Sequence, residues 1–106
     1  MTEPAALVGW HRLVRERDPA QLADLIAEDA VFHSPIVHSP QRGKKLVCWY
    51  LYAAVKVLFN DTFKYVREIR EGDAAVLEFQ VEVDGITVNG VDMIAWNAQG
   101  QIIDFK

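Results

Sequence analysis

The sequence predicts an α+β fold, with helices first and an antiparallel meander after them. Three observations carry this. Up to Phe59 the apolar residues recur mostly at helical spacing; from Phe63 they alternate with a period of two. Asp84-Gly85 then separates two alternating runs, the signature of a tight hairpin. Helical elements followed by consecutive hairpin-linked strands place the chain in the α+β class.

The elements follow in order. Leu7, Trp10 and Val14, with Ala6 and Leu13, predict a first helix over residues 5–17, and Arg12, Arg15, Glu16 and Arg17 supply its wet face. Asp18-Pro19-Ala20-Gln21 is a helix start: Asp18 caps, Pro19 takes the first helical position, and Gln21 stands three residues after the cap. The second helix buries Leu22, Leu25 and Ile26 and ends at Asp29-Ala30. Val31-Phe32-His33-Ser34 is a short strand closed by Pro35, and residues 35–43 form a loop with two prolines and a glycine. Residues 46–59 form a third helix, apolar over so wide an arc that burial on most sides is expected.

Phe63, Tyr65 and Ile69 then alternate with Lys64, Glu68 and Arg70. After the turn Glu71-Gly72-Asp73, Leu77, Phe79, Val81 and Val83 alternate with Glu78, Gln80 and Glu82, a half-buried strand. Residues 86–96 return as a long strand. Asn97-Ala98-Gln99-Gly100 turns the chain into a last strand from Gln101, expected to be a short edge strand or a truncated one. The expected order is α-α-β-α-β-β-β-β.

Composition sets the bounds. The chain has 106 residues, 51% of them hydrophobic and 25% charged, which fits one domain over residues 1–106. A chain of this length buries roughly 65% of its unfolded surface, enough for one core. A net charge of −4 argues against a nucleic-acid partner. The single cysteine, Cys48, excludes an internal disulfide framework and a cysteine zinc site. The N-terminus lacks the basic start and apolar run of a signal peptide, and residues 46–59 are too short to span a bilayer. A cytoplasmic protein without a membrane partner, metal or cofactor is expected. Residues 42–70 carry seven basic and two acidic side chains, and residues 71–106 carry seven acidic and one basic. Two solvated faces explain this most simply; a self-complementary dimer surface is the alternative.

Asp92 is the residue out of place. It shares strand parity with Ile86, Val88, Gly90, Ile94 and Trp96. A carboxylate in that register faces a cavity, is paired, or is protonated, unless this end of the strand faces water. Desolvation would raise its pKa, which is how a site obtains a proton donor near neutral pH. Gly90, two residues earlier, marks a bulge or a close approach. Trp10, Trp49, Tyr50 and Trp96 read as core aromatics, which in a pocket would also be its lining, with Tyr50 and Asp92 as polar handles. His33 shares parity with Val31 and should point away from Phe32 and Ser34; His33, His38 and Asp92 match no standard metal spacing.

The run from Asp18 to Pro35, Gly43 before the third helix, and Gly90-Val91-Asp92-Met93-Ile94-Ala95-Trp96 with Gly100 and Ile102 resemble the nuclear transport factor 2-like superfamily, in its SnoaL-like and ketosteroid-isomerase-like branch. The resemblance covers nearly the whole chain. It implies a cone-shaped curved antiparallel sheet wrapped on three helices, a small hydrophobic ligand, and a homodimer through the sheet. Ketosteroid isomerases use a tyrosine on the first helix, an aspartate base before the proline of the first strand, and a protonated aspartate donor on a late strand. Those positions fall on Trp10, Ser34 and Asp92. The acid is kept, the base is replaced by a hydroxyl and the phenol by an indole. A serine with no base beside it cannot take a carbon-bound proton near neutral pH. The epoxide-hydrolase branch needs an arginine where Gly90 stands and a second late acid. Cyclases of the SnoaL type use an aspartate and a histidine, and Asp92 fits only the former. Family members also run longer, so a truncated closing strand is expected.

The resulting expectation is a pocket protein with Trp10, Ser34, Tyr50, Asp92 and Trp96 binding the ligand and Asp92 as acid or hydrogen-bond donor. The alternatives are an enzyme (isomerase, polyketide-cyclase-like or hydrolase) and a non-catalytic dimerisation or interaction module.

Overall fold

In the computed structural model, residues 3–34 and 39–106 are described. Helix α1 (Ala5–Glu16) is followed by a 3₁₀ turn (Pro19–Gln21), α2 (Leu22–Leu25), β1 (Ile26–Phe32), β2 (Gln41–Arg42), α3 (Lys44–Leu58), β3 (Lys64–Glu71), β4 (Ala74–Val83), β5 (Ile86–Trp96) and β6 (Ile102–Phe105). The strands form one mixed sheet in the order β2-β1-β6-β5-β4-β3. The core lies between the helices and one sheet face. Ala6, Leu7, Trp10 and Leu13 from α1 meet Leu77, Ile94, Trp96 and Ile102 from the strands.

The α+β class holds, and five details differ from expectation, the last of them in β3. The first is the second helix. Asp18 caps as expected, its Oδ1 accepting the Ala20 N–H at 3.0 Å. The helix nevertheless stops at Leu25, and Ile26 already pairs with Ile102. Four helical residues have little stability of their own, so tertiary pairing decides the boundary. No alternation announces β1, because its register shifts between Ile26 and Val31.

The second is the last strand. It is not an edge: β6 lies inside the sheet, parallel to β1 and antiparallel to β5. The meander is therefore closed by a parallel pair, which hairpin logic alone does not foresee. The third is β2, two residues of the proline-containing loop that pair antiparallel with Val31 and Phe32.

The fourth is α3. Only Val47, Leu51 and Val55, one i, i+4, i+8 stripe, are buried. Trp49 is 64% exposed and Val57 61%, so Trp49 is not a core aromatic. The helix packs on β1 by one face and leaves the other to solvent.

Hairpin chemistry behaves as the residues dictate. Asp84 and Gly85 take φ of 52° and 78° between the paired residues Val83 and Ile86. A β-bulge between Tyr65 and Arg67 reverses the parity of β3. Ile69, expected on the same face as Tyr65, is 58% exposed on the outer face, while Glu68 stands opposite core residue Leu77. Basic β3 lies beside acidic β4, and Arg67 Nε reaches Glu78 Oε1 at 3.5 Å. The uneven charge along the chain is thus partly neutralised within one sheet.

Candidate functional site

Asp92 is placed by β5 register. It stands opposite Leu77, in the row that also sets Gly90 against Phe79 and Ile94 against Ala75. Its carboxylate therefore leaves the sheet on the core side. There it lines a cavity of about 410 Å³ between α1, α3 and the strands. The wall is largely aromatic: Trp10, Phe32, Phe59, Phe63, Phe79 and Phe105. These rings pack edge-on or stacked, Trp10 against Phe105 at 4.9 Å and Phe63 against Phe79 at 5.2 Å between centroids.

Gly90 makes room for this wall. A Cβ at position 90 would come within 2.4 Å of Phe79 Cζ. The glycine is there because the Phe79 ring lies across the backbone of β5, a close approach of the kind a strand glycine signals.

Three polar groups form a chain at one side. Trp10 Nε1 donates to the Tyr65 hydroxyl at 2.8 Å, and the Tyr65 hydroxyl donates to Asp92 Oδ2 at 2.6 Å. An indole N–H can only donate, so the Tyr65 oxygen accepts it and the phenol proton is directed to Asp92. Burial raises the Asp92 pKa to about 6, against the lowering influence of the Tyr65 hydrogen bond. The Tyr65 phenol is held well above its ordinary value by burial and then by the Asp92 charge beside it.

The sequence-predicted residues separate here. Trp10 and Asp92 line the cavity together. Tyr50 stands behind the wall, stacked on Phe32 at 5.5 Å, and does not line it. Ser34 follows β1, half-buried, and is not part of the lining. Trp96 is buried elsewhere, near Ala5 and the Asn97–Gly100 turn. His33 contributes to the cavity lining, although its ring is drawn to Asp104 Oδ2 at 3.1 Å. Asp104 lies opposite Ala95, on outward parity, so His33 bridges the cavity rim and the outer side of β6. His38 lies outside the described residues. Burial pushes the Cys48 thiol up, away from the thiolate form.

Tyr65 is the residue that sequence reading missed. Its strand parity marked it as apolar-facing, but nothing in the pattern pairs it with Asp92, 27 positions later. On its other side the His11 ring meets Tyr65 edge-on at 5.6 Å, and His11 Nε2 bonds Glu68 Oε1 at 2.7 Å. Tyr65 lines an open groove of about 590 Å³ bordered by Arg15, Arg17, Asp61 and Lys64, and Phe63 is common to that groove and the cavity.

The family model described as SnoaL-like domain matches residues 7–105. No curated protein matches the sequence. Among solved structures, a steroid delta-isomerase from Pseudomonas aeruginosa is 36% identical with a TM-score of 0.87, over 97% of this chain and 77% of that one. A protein with a cystatin-like fold from Silicibacter pomeroyi is 31% identical with a TM-score of 0.83, over 94% of this chain and 70% of that one. A nuclear transport factor 2-like protein of unknown function from Mesorhizobium loti, 21% identical with a TM-score of 0.75 over 95% of this chain and 87% of that one, shares the fold. With a family model covering nearly its full length and a curved sheet wrapped on three helices, this chain belongs to the SnoaL-like domain family, with a nuclear transport factor 2-like fold.

Proposed function

We propose that the chain binds a small hydrophobic ligand in the aromatic cavity, with Asp92 as the polar contact. The observation that carries this is a buried titratable carboxylate opening into a space walled by six aromatic rings. Trp10 and Asp92 are the ligand-contacting pair. Ser34, Tyr50 and Trp96 act at most through neighbouring side chains. A titration of ¹⁵N-labelled protein with butylbenzene tests the reading. Saturable shifts at the Trp10 indole and at Gly90 are expected, and Ala54→Phe, which fills the cavity from α3, should remove them. Wild-type protein without saturable shifts would refute it.

Acid–base catalysis is the second reading. It is favoured by the Asp92 pKa of about 6 and by likeness to a protein described as a steroid delta-isomerase. Less support comes from the base position, where Ser34 stands outside the lining. Double-bond isomerisation of an unsaturated 3-ketosteroid, followed by absorbance on conjugation, decides it. A rate abolished by Asp92→Ala would establish the catalytic reading.

The proposal includes a homodimer through the outer sheet face. Ile69, Val76 and Met93 form one row across β3, β4 and β5, each exposed, with exposed Val91 beside it. Sedimentation equilibrium should give a dimer for the wild type and a monomer for Met93→Glu. A monomeric wild type at high concentration would exclude it. Among the described residues no helix is long and apolar enough to cross a membrane.

A further inference from the structure

Donors and acceptors around the cavity are unequally placed. Trp10 Nε1 spends its one proton on Tyr65, and Tyr65 spends its own on Asp92. Neither has a proton left for a ligand, and Tyr65 does not line the cavity. Asp92 therefore presents the buried end of the chain to the cavity, and as a carboxylate it only accepts. Among the described residues, a ketone or another pure acceptor finds no buried donor there while Asp92 is ionised.

We propose that the cavity selects a hydrophobic amine, whose protonated nitrogen bonds Asp92 while its apolar body packs among the aromatic rings. This rests on the cavity being a ligand site, as proposed above. Two further observations support it. Trp10, Phe63 and Phe79 line the same cavity as Asp92, and an aromatic ring that offers its face to an ammonium group attracts it. Among the described residues, Asp92 also has no cation paired with it. Burial and the Tyr65 hydrogen bond account for its titration, and no positive side chain contributes. Lys106 lines the cavity but is exposed, and its backbone exchanges both hydrogen bonds with Met93. The His33 ring is engaged by Asp104. Among the described residues, Tyr65 of β3 bonds Asp92, Leu77 of β4 stands opposite it and Trp10 of α1 bonds Tyr65, none of them cationic. A carboxylate enclosed by an apolar ligand loses solvation and needs a counter-charge, which an ammonium group brings with it.

The pH dependence has a definite sign. An alkylamine stays protonated throughout, so its affinity follows Asp92 ionisation: it rises through the Asp92 pKa of about 6 and levels off above it. A ketone has the opposite dependence, because only protonated Asp92 can donate to it.

The test compares 4-phenylbutylamine, 4-phenyl-2-butanone and butylbenzene by calorimetry and NMR titration, on wild-type protein and on Asp92→Asn. For the amine, a loss of about tenfold or more on Asp92→Asn is expected, the scale of a charge-assisted hydrogen bond. Butylbenzene should bind both proteins alike. Asp92→Asn keeps the side-chain shape and an acceptor for Tyr65, and Asp92→Ser serves as the second variant. Amine affinity unchanged in both variants, or falling as pH rises through 6, overturns the ligand class while butylbenzene binding upholds the cavity. If no probe binds, the cavity reading itself fails.

Discussion

Replacing Asp92 by Asn should stabilise the protein at neutral pH and not at acid pH. The folded-state pKa is about 6 against an ordinary 3.8, because burial penalises the carboxylate. Between those values the folded protein holds a proton that the unfolded chain has released. Stability therefore falls as pH rises from 3.8 to about 6, and stays reduced above it. The raised pKa corresponds to about 3 kcal/mol of charging cost, at 1.36 kcal/mol per unit. Asn has the same shape and can still accept the Tyr65 hydrogen bond, but has no charge to desolvate. Urea unfolding of both proteins at a series of pH values gives the stability difference directly. Asp92→Asn minus wild type should become more positive by about 2–3 kcal/mol between about pH 4 and about pH 7.5. A difference that stays flat across that interval would refute a desolvated Asp92, and with it the placement of the carboxylate in the cavity wall.

Two other substitutions probe the same wall. Tyr65→Phe removes the hydrogen bond that lowers the Asp92 pKa and leaves the Trp10 N–H without its acceptor; the Asp92 pKa should rise further, seen by NMR titration of its carboxyl carbon, with a stability loss of about 1–3 kcal/mol in chemical denaturation. Gly90→Ala places a methyl 2.4 Å from Phe79 Cζ. The ring must leave its seat, so a loss of about 1–3 kcal/mol is expected, together with weakened butylbenzene binding as Phe79 enters the cavity. An unchanged melting temperature for Gly90→Ala would contradict the close approach.

Legibility in the sequence follows the range of the interactions. The α1 stripe of Leu7, Trp10 and Leu13, the Asp84-Gly85 turn and the β4 alternation are local, and each forms as its residues require. The boundary at Ile26 was not legible, because pairing with Ile102, 76 positions away, sets it. The Ile69 parity was lost for a similar reason: one inserted residue at the β3 bulge reverses every side chain beyond it, and no composition signal marks it. The exposed face of α3 was misjudged because apolarity all round a helix does not say how many neighbours the fold supplies. At the site, Asp92 was legible as a carboxylate in an apolar register. Tyr65 was not, because a tyrosine on apolar parity looks like packing until its hydroxyl meets a partner.

Position 10 decides what Asp92 can do. The resemblance places a tyrosine there, and a phenol can both accept and donate. Trp10 offers one N–H and no acceptor. Its position, 2.8 Å from the Tyr65 oxygen, forces the Tyr65 proton away from itself, and Asp92 Oδ2 receives it at 2.6 Å. The hydrogen bond that Asp92 gains favours its ionised form, against the burial that favours its neutral form. With a phenol in place of Trp10, the chain could run towards the cavity and present a donor. With the indole it runs towards Asp92 and presents an acceptor. Ser34 at the base position and Trp10 at the phenol position both fit the proposal above, a site that holds a ligand carrying its own proton.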